Sequence, residues 1–97
     1  MIKPGKLYIT RFTEIKVELR ENSPNQGTSL YTDRYFLRGE CVKPNDIFVV
    51  LDYEPLKDKF YTGPRIALDE QSFAIKVLVN EKVGYVLLRE CEVVEVE

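Results

Sequence analysis

Histidine is absent from this chain, and so is tryptophan. The first absence removes the commonest general base and the central member of the hydrolytic triads. It also takes away the imidazole that would complete a zinc site, and only two cysteines remain, Cys41 and Cys91, fifty residues apart. That spacing lacks the clustering of metal ligands. No apolar run approaches the roughly 20 residues that span a bilayer as a helix. The opening "MIKPGKLYIT" has two lysines and no long apolar stretch behind them, so it does not read as a secretory signal. A cytoplasmic setting, in a cell or an infected host, and no membrane partner are the expectation. Two reduced, partly buried thiols follow from that setting.

Neither sign of charge dominates. Fourteen Lys and Arg stand against sixteen Asp and Glu, scattered along the chain, for a net charge of −2. A general nucleic-acid binder shows a basic stripe instead. The 97 residues, 44% of them hydrophobic, suit one globular domain over 1–97.

What is present is alternation. In "EIKVELRE" Ile15, Val17 and Leu19 point one way and Lys16, Glu18 and Arg20 the other. This period of two marks a half-buried strand, read here as continuing the β segment "KLYITRF". "NSPNQGTS" breaks the pattern as a loop, and "LYTDRYFLRGECV" returns as the second arm of a long hairpin. "KPND" is a turn, and "IFVVLDY", apolar and β-branched, reads as a central strand. In "FAIKVLVN" Phe73, Ile75, Val77 and Val79 share one face while Ala74, Lys76 and Leu78 share the other. "NEK" turns the chain, with Asn80 tolerant of the left-handed conformation. "VGYVLL" pairs back, "REC" is a one-turn break, and "EVVEVE" closes. The fold class is therefore all-β, a small barrel of five or six antiparallel strands with long loops at 21–30 and 54–72. The second loop exceeds the usual connection and is expected to hold a short strand or helical turn.

The order of "KPNDIFVVLD" and "AIKVLVNEKVGYVLLRECEVVEV" resembles the SH3-like barrel, and most of all the small uncharacterised SH3-like proteins encoded by bacteria and their phages. The resemblance implies a distal hairpin followed by Gly84 at a close crossing, then a 3₁₀ turn and a closing strand. It places Asn45 where glycine is usual and Cys91 where the family carries a core aliphatic residue; alternation then turns Glu90 and Glu92 to water. It also implies a departure. Family members that clasp polyproline use a tryptophan and a "PSNY" segment, and this chain has Leu87, Leu88, Arg89 and Glu90 there. PxxP recognition is not expected.

Two kinds of site are compatible with these residues. Tyr31, Tyr35, Phe60 and Tyr61, on the two long loops, suit amphipathic anchors for a protein partner, with Phe36 and Tyr53 nearby. The same rings also suit plugs for the ends of the barrel, which is the weightier account of them individually. Arg34, Arg38, Lys57, Lys59 and Arg65 lie beside aromatics, as single-stranded nucleic acid requires, but Asp33, Glu40, Glu54, Asp58, Asp69 and Glu70 cancel their field. The sequence thus points to a non-catalytic module that docks on a protein partner through loop aromatics. A single-stranded nucleic-acid-binding barrel is the less favoured alternative. No cofactor, metal or catalytic residue is assigned. Pairing of the "EVVEVE" edge with a copy leaves the state as monomer or weak homo-oligomer.

Overall fold

A computed structural model describes residues 2–23, 36–56 and 72–97. They form one curled antiparallel sheet of seven strands: β1 (Leu7–Thr10), β2 (Val17–Arg20), β3 (Phe36–Val42), β4 (Phe48–Pro55), β5 (Ser72–Val79), β6 (Lys82–Arg89) and β7 (Val93–Glu95). The spatial order is β3-β2-β6-β5-β4-β1-β7. The all-β expectation stands, but with seven strands among the described residues rather than five or six.

The difference begins at the first strand. "KLYITRF" and "EIKVELRE" are not one continuous element. β1 ends at Thr10 and pairs with β4 and β7, whereas β2 starts at Val17 and pairs with β3 and β6 near the far edge. Ile15 lies in the connection and is 53% exposed, so it does not share the inward face of Val17 and Leu19. Side-chain alternation reports a strand's faces and cannot report where one ladder stops and another begins. The bounds of the second long loop also change, since Glu54 and Pro55 close β4 and Ser72 opens β5. The short strand or turn expected within it falls on 57–71, outside the described residues. Most of the 21–30 loop and the tip of the first hairpin fall outside them as well.

The concave face holds the core. Phe48 and Val50 of β4, Ile75 and Val77 of β5, Val86 and Leu88 of β6, Leu19 of β2 and Val42 of β3 are essentially inaccessible. Tyr8 of β1 stacks near Phe48, ring centroids 6.3 Å apart, and its hydroxyl accepts the Lys3 N–H at 2.8 Å. The β5 alternation is as the sequence implies, with Ile75, Val77 and Val79 buried and Phe73 packed against the cluster.

The turns explain themselves by backbone sign. β5 and β6 are joined through Asn80 (φ 49°) and Glu81 (φ 67°), both left-handed, with Val79 opposite Lys82. Two positive φ values in a two-residue hairpin follow the right-handed twist of the strands. Asn45 has φ 70°, which is why glycine would also fit there. In that turn the Asp46 carboxylate accepts the Lys43 N–H at 3.0 Å.

Glu90–Glu92 is a single 3₁₀ turn between β6 and β7, and here two expectations are reversed. Cys91 is exposed, not a core residue. Glu92 is buried at 5% exposure, not turned to water. A 3₁₀ turn advances its side chains by a third of a revolution per residue, so the two-residue alternation that holds for the flanking strands fails inside it. Glu92 points back and accepts the Arg89 N–H at 2.8 Å, with the Arg89 Nε 3.5 Å away.

Candidate docking surface

A sheet with one filled face should present polar residues on the other. This one does so only in part. Across the outer face the register aligns Leu7 of β1 with Val49 of β4, Val49 with Leu78 of β5, and Leu78 with Val83 of β6. Val96, just past β7, donates its N–H to the Leu7 carbonyl at 2.8 Å and extends the row. One step toward the β5–β6 hairpin lie Val94, paired with Ile9, and Ile47 before β4. One step the other way is Leu51, at the register shift between Val50 and Asp52.

These side chains are not hidden. Ile47 is 52% exposed, Val83 49%, Leu7 and Leu51 41% each and Leu78 38%. Val94, Ile9, Val49 and Val96 are half-buried. The five strands span roughly 19 Å from β7 to β6 at ordinary strand spacing. Contiguous aliphatic exposure of this kind marks an interaction surface, whereas scattered single residues do not.

Charged residues bound the strip on both long sides. At the hairpin end stand Glu81, Asn80 and Asp46, with Asn80 Nδ2 donating to Asp46 Oδ2 at 3.3 Å. On the opposite side the register places Asp52 beside Lys76, Lys76 beside Tyr85 and Tyr85 beside Arg20. Burial lowers the Arg20 guanidinium below its ordinary pKa, and the Glu18 carboxylate works against that shift. The Lys82–Glu40 ion pair ties β6 to β3 and belongs to neither rim.

Further along the outer face the surface closes again. Ala74 and Leu87, opposite one another, are buried with Leu56. On the inner face of the same end Tyr53 meets Phe73 edge-on at 5.5 Å, both packed against the core, and the Ser23 hydroxyl donates to Glu54 Oε1 at 2.8 Å. An open cleft of about 240 Å³ lies at the other end, lined by Ile2, Lys3, Tyr8, Glu90, Val93 and Glu95. Its lining holds two carboxylates and an ammonium group but neither thiol nor imidazole. Among the described residues no three His, Cys, Asp or Glu side chains gather as a metal site. Cys41 and Cys91 are not joined by a disulfide. Among the described residues no helix is long and apolar enough to cross a membrane.

Tyr31, Tyr35, Phe60 and Tyr61, the anchors expected from the sequence, all lie outside the described residues, as do Arg34, Lys57, Lys59 and Arg65. The aliphatic strip was not singled out from the sequence. A partial signal existed, since "IFVVLDY" is apolar on both faces and Leu78 stands on the outward face of β5. Assembling the row needs the register of five strands. Comparison with protein families, with curated proteins and with solved structures finds no match to this chain.

Proposed function

We propose that this protein is a non-catalytic binding module, an SH3-like barrel that docks on a protein partner. The observation that carries the reading is the exposed aliphatic strip across β7, β1, β4, β5 and β6. Leaving that much aliphatic surface in water has a cost that burial against a partner would recover. The strand order supports the SH3-like assignment: β7-β1-β4-β5-β6 in sequence with a tight β5–β6 hairpin and a 3₁₀ turn before the closing strand. The absence of histidine supports a non-catalytic role. The loop aromatics Tyr31, Tyr35, Phe60 and Tyr61 add a second anchoring region in this proposal, and a cytoplasmic setting in bacteria or phage-infected cells agrees with it.

The test uses a photo-crosslinking amino acid at position 78, in cells producing the protein, with position 52 as a control off the strip. Protein adducts at 78 that are absent at 52 are the expected result. Equal labelling at both positions, or none, overturns the reading. Tyr35→Ala and Phe60→Ala divide the loop aromatics in the same way: lost adducts with an unchanged melting temperature mean anchors, and lost folding means barrel plugs.

A further inference from the structure

The sheet ends at β3 and at β7, and the β7 end is open in a definite pattern. β7 pairs with β1 on one side and with no described strand on the other. In an antiparallel ladder, pairs that exchange hydrogen bonds alternate with pairs that do not. The Arg11 N–H donates to the Glu92 carbonyl at 2.9 Å, and the Val96 N–H to the Leu7 carbonyl at 2.8 Å. Ile9 and Val94, midway between, belong to the same bonded series. Val93 and Glu95 therefore turn their backbone groups away from β1, out of the sheet. The Val93 N–H is spent on the Glu90 carbonyl at the end of the 3₁₀ turn. The Val93 C=O and both backbone groups of Glu95 remain, and none of them has a partner among the described residues.

Elsewhere the fold closes such an edge. β4 runs on past Val50 with no described strand on its β1 side. The Leu56 N–H donates to the Ser72 carbonyl, so Leu56, Glu54 and Asp52 turn their backbone groups toward β5, and Tyr53 and Pro55 turn theirs outward. The Tyr53 N–H is capped by Asp52 Oδ1 at 2.8 Å, and Pro55 has no N–H to offer. Charge and proline are ordinary protection against edge pairing. The Glu95 N–H has no such cap.

The cleft of about 240 Å³ opens beside this edge. Val93 and Glu95 line it from β7, Tyr8 from β1, Glu90 from the 3₁₀ turn, and Ile2 and Lys3 from the segment before β1. Two carboxylates thus stand against one ammonium group, and Glu95 makes no ion pair among the described residues. An antiparallel strand added at β7 would set one residue squarely opposite Glu95, both side chains on the cleft face. A second copy of β7 has only valine and glutamate to put there, and like charges directly opposite repel. Lysine or arginine there reaches the carboxylates and lays its methylene stem on Ile2 and Val93. We infer that the open edge of β7 binds an extended basic segment of a protein partner, added as a further antiparallel strand, with a lysine or arginine opposite Glu95 and its side chain in the cleft. The Glu95 N–H donates to that segment, and the Glu95 and Val93 carbonyls accept from it. This surface is separate from the aliphatic strip, and the inference does not rest on the strip.

Amide NMR on the full chain at low salt tests it, with the blocked peptide TKVKT as the probe. The Glu95 amide should move downfield and saturate, with half-binding at roughly 1 mM. Two companion peptides should bind at least about tenfold more weakly. One is TEVET, which reverses the charge. The other is TKVKT methylated on both lysine amide nitrogens, which keeps the charge and loses the strand pairing. Glu95→Gln in the chain should weaken TKVKT about threefold to tenfold and leave the rest of the amide spectrum in place. A Glu95 amide unmoved at about 10 mM TKVKT overturns the inference. Equal binding of the methylated peptide also overturns it, because the cleft would then take a cation alone, and so does equal binding of TEVET. A Glu95 shift that grows with protein concentration in the absence of peptide overturns it in favour of self-pairing. Failure here with adducts still formed at position 78 removes the edge site and leaves the strip, and the reverse result removes the strip and leaves the edge.

Discussion

Leu19 occupies the space that any side chain at residue 84 would need. A Cβ built on Gly84 would stand 2.6 Å from Leu19 Cγ, 2.8 Å from Cδ1 and 2.9 Å from the Arg20 carbonyl oxygen. β2 leans on β6 at this point, where Arg20 pairs with Tyr85. Leu19 is 1% exposed and has nowhere to retreat. Gly84→Ala should therefore lower the unfolding free energy by about 1–3 kcal/mol, the usual penalty for overpacking. Urea denaturation followed by tyrosine fluorescence measures it. A loss below about 0.5 kcal/mol, the size of an ordinary surface substitution, would mean that β2 can lift away from β6 freely.

Glu92 fastens the 3₁₀ turn. Its buried carboxylate accepts the Arg89 N–H, and truncation leaves that donor without its acceptor. Glu92→Ala should cost about 1–3 kcal/mol. Glu92→Gln retains an acceptor oxygen and should cost less than the alanine change. Equal losses in the two variants, compared by chemical denaturation, would show that the negative charge rather than the hydrogen bond holds the turn.

Thr10 is the opposite case. It is 3% exposed, and its hydroxyl has no hydrogen-bond partner among the described residues. Burying an unpaired hydroxyl is unfavourable, whereas valine fills nearly the same volume without it. Thr10→Val should stabilise the fold by roughly 1 kcal/mol, seen as a higher melting temperature in calorimetry. A lower one would mean that the hydroxyl is bonded in solution, for example to water.

The two thiols should differ in reactivity. Cys91 is exposed on the 3₁₀ turn, and Cys41 is half-buried in β3 opposite Glu18. A disulfide reagent such as dithionitrobenzoate should modify Cys91 first, leaving Cys41 slower under native conditions. The Cys91→Ser variant should lose the fast phase and keep the slow one. Two equal rates in the wild-type chain would contradict the assigned exposures.

Much of this fold is legible along single strands. The inward series of Ile75, Val77 and Val79 and the left-handed Asn80 follow from local pattern, and the close approach at Gly84 from the SH3-like resemblance. The failures occur where the two-residue rhythm ceases to apply. Inside the 3₁₀ turn it assigns Cys91 to the core and Glu92 to solvent, the reverse of what is found. Between Thr10 and Val17 the rhythm continues across a change of partner strand, so the break is invisible to it. The aliphatic strip is harder still, because Leu7, Val49, Leu78 and Val83 are scattered over the chain and become neighbours only through pairing. The aromatics expected as anchors, Tyr31, Tyr35, Phe60 and Tyr61, fall outside the described residues, so what is legible of the candidate site is that Lys76 and Leu78 share the face of β5 opposite Ile75, Val77 and Val79.

β1 has no local partner. It hydrogen-bonds to β4 on one side and to β7 on the other, so during synthesis one edge waits until β4 has been made and the other until β7 has. Over that interval the ribosome-bound chain offers Leu7, Tyr8 and Ile9 to whatever passes. Pairings so distant in sequence fold slowly and are exposed to aggregation. A nascent chain halted before Val93 should thus be a client for holding chaperones, and emergence of β7 should be the step that frees it.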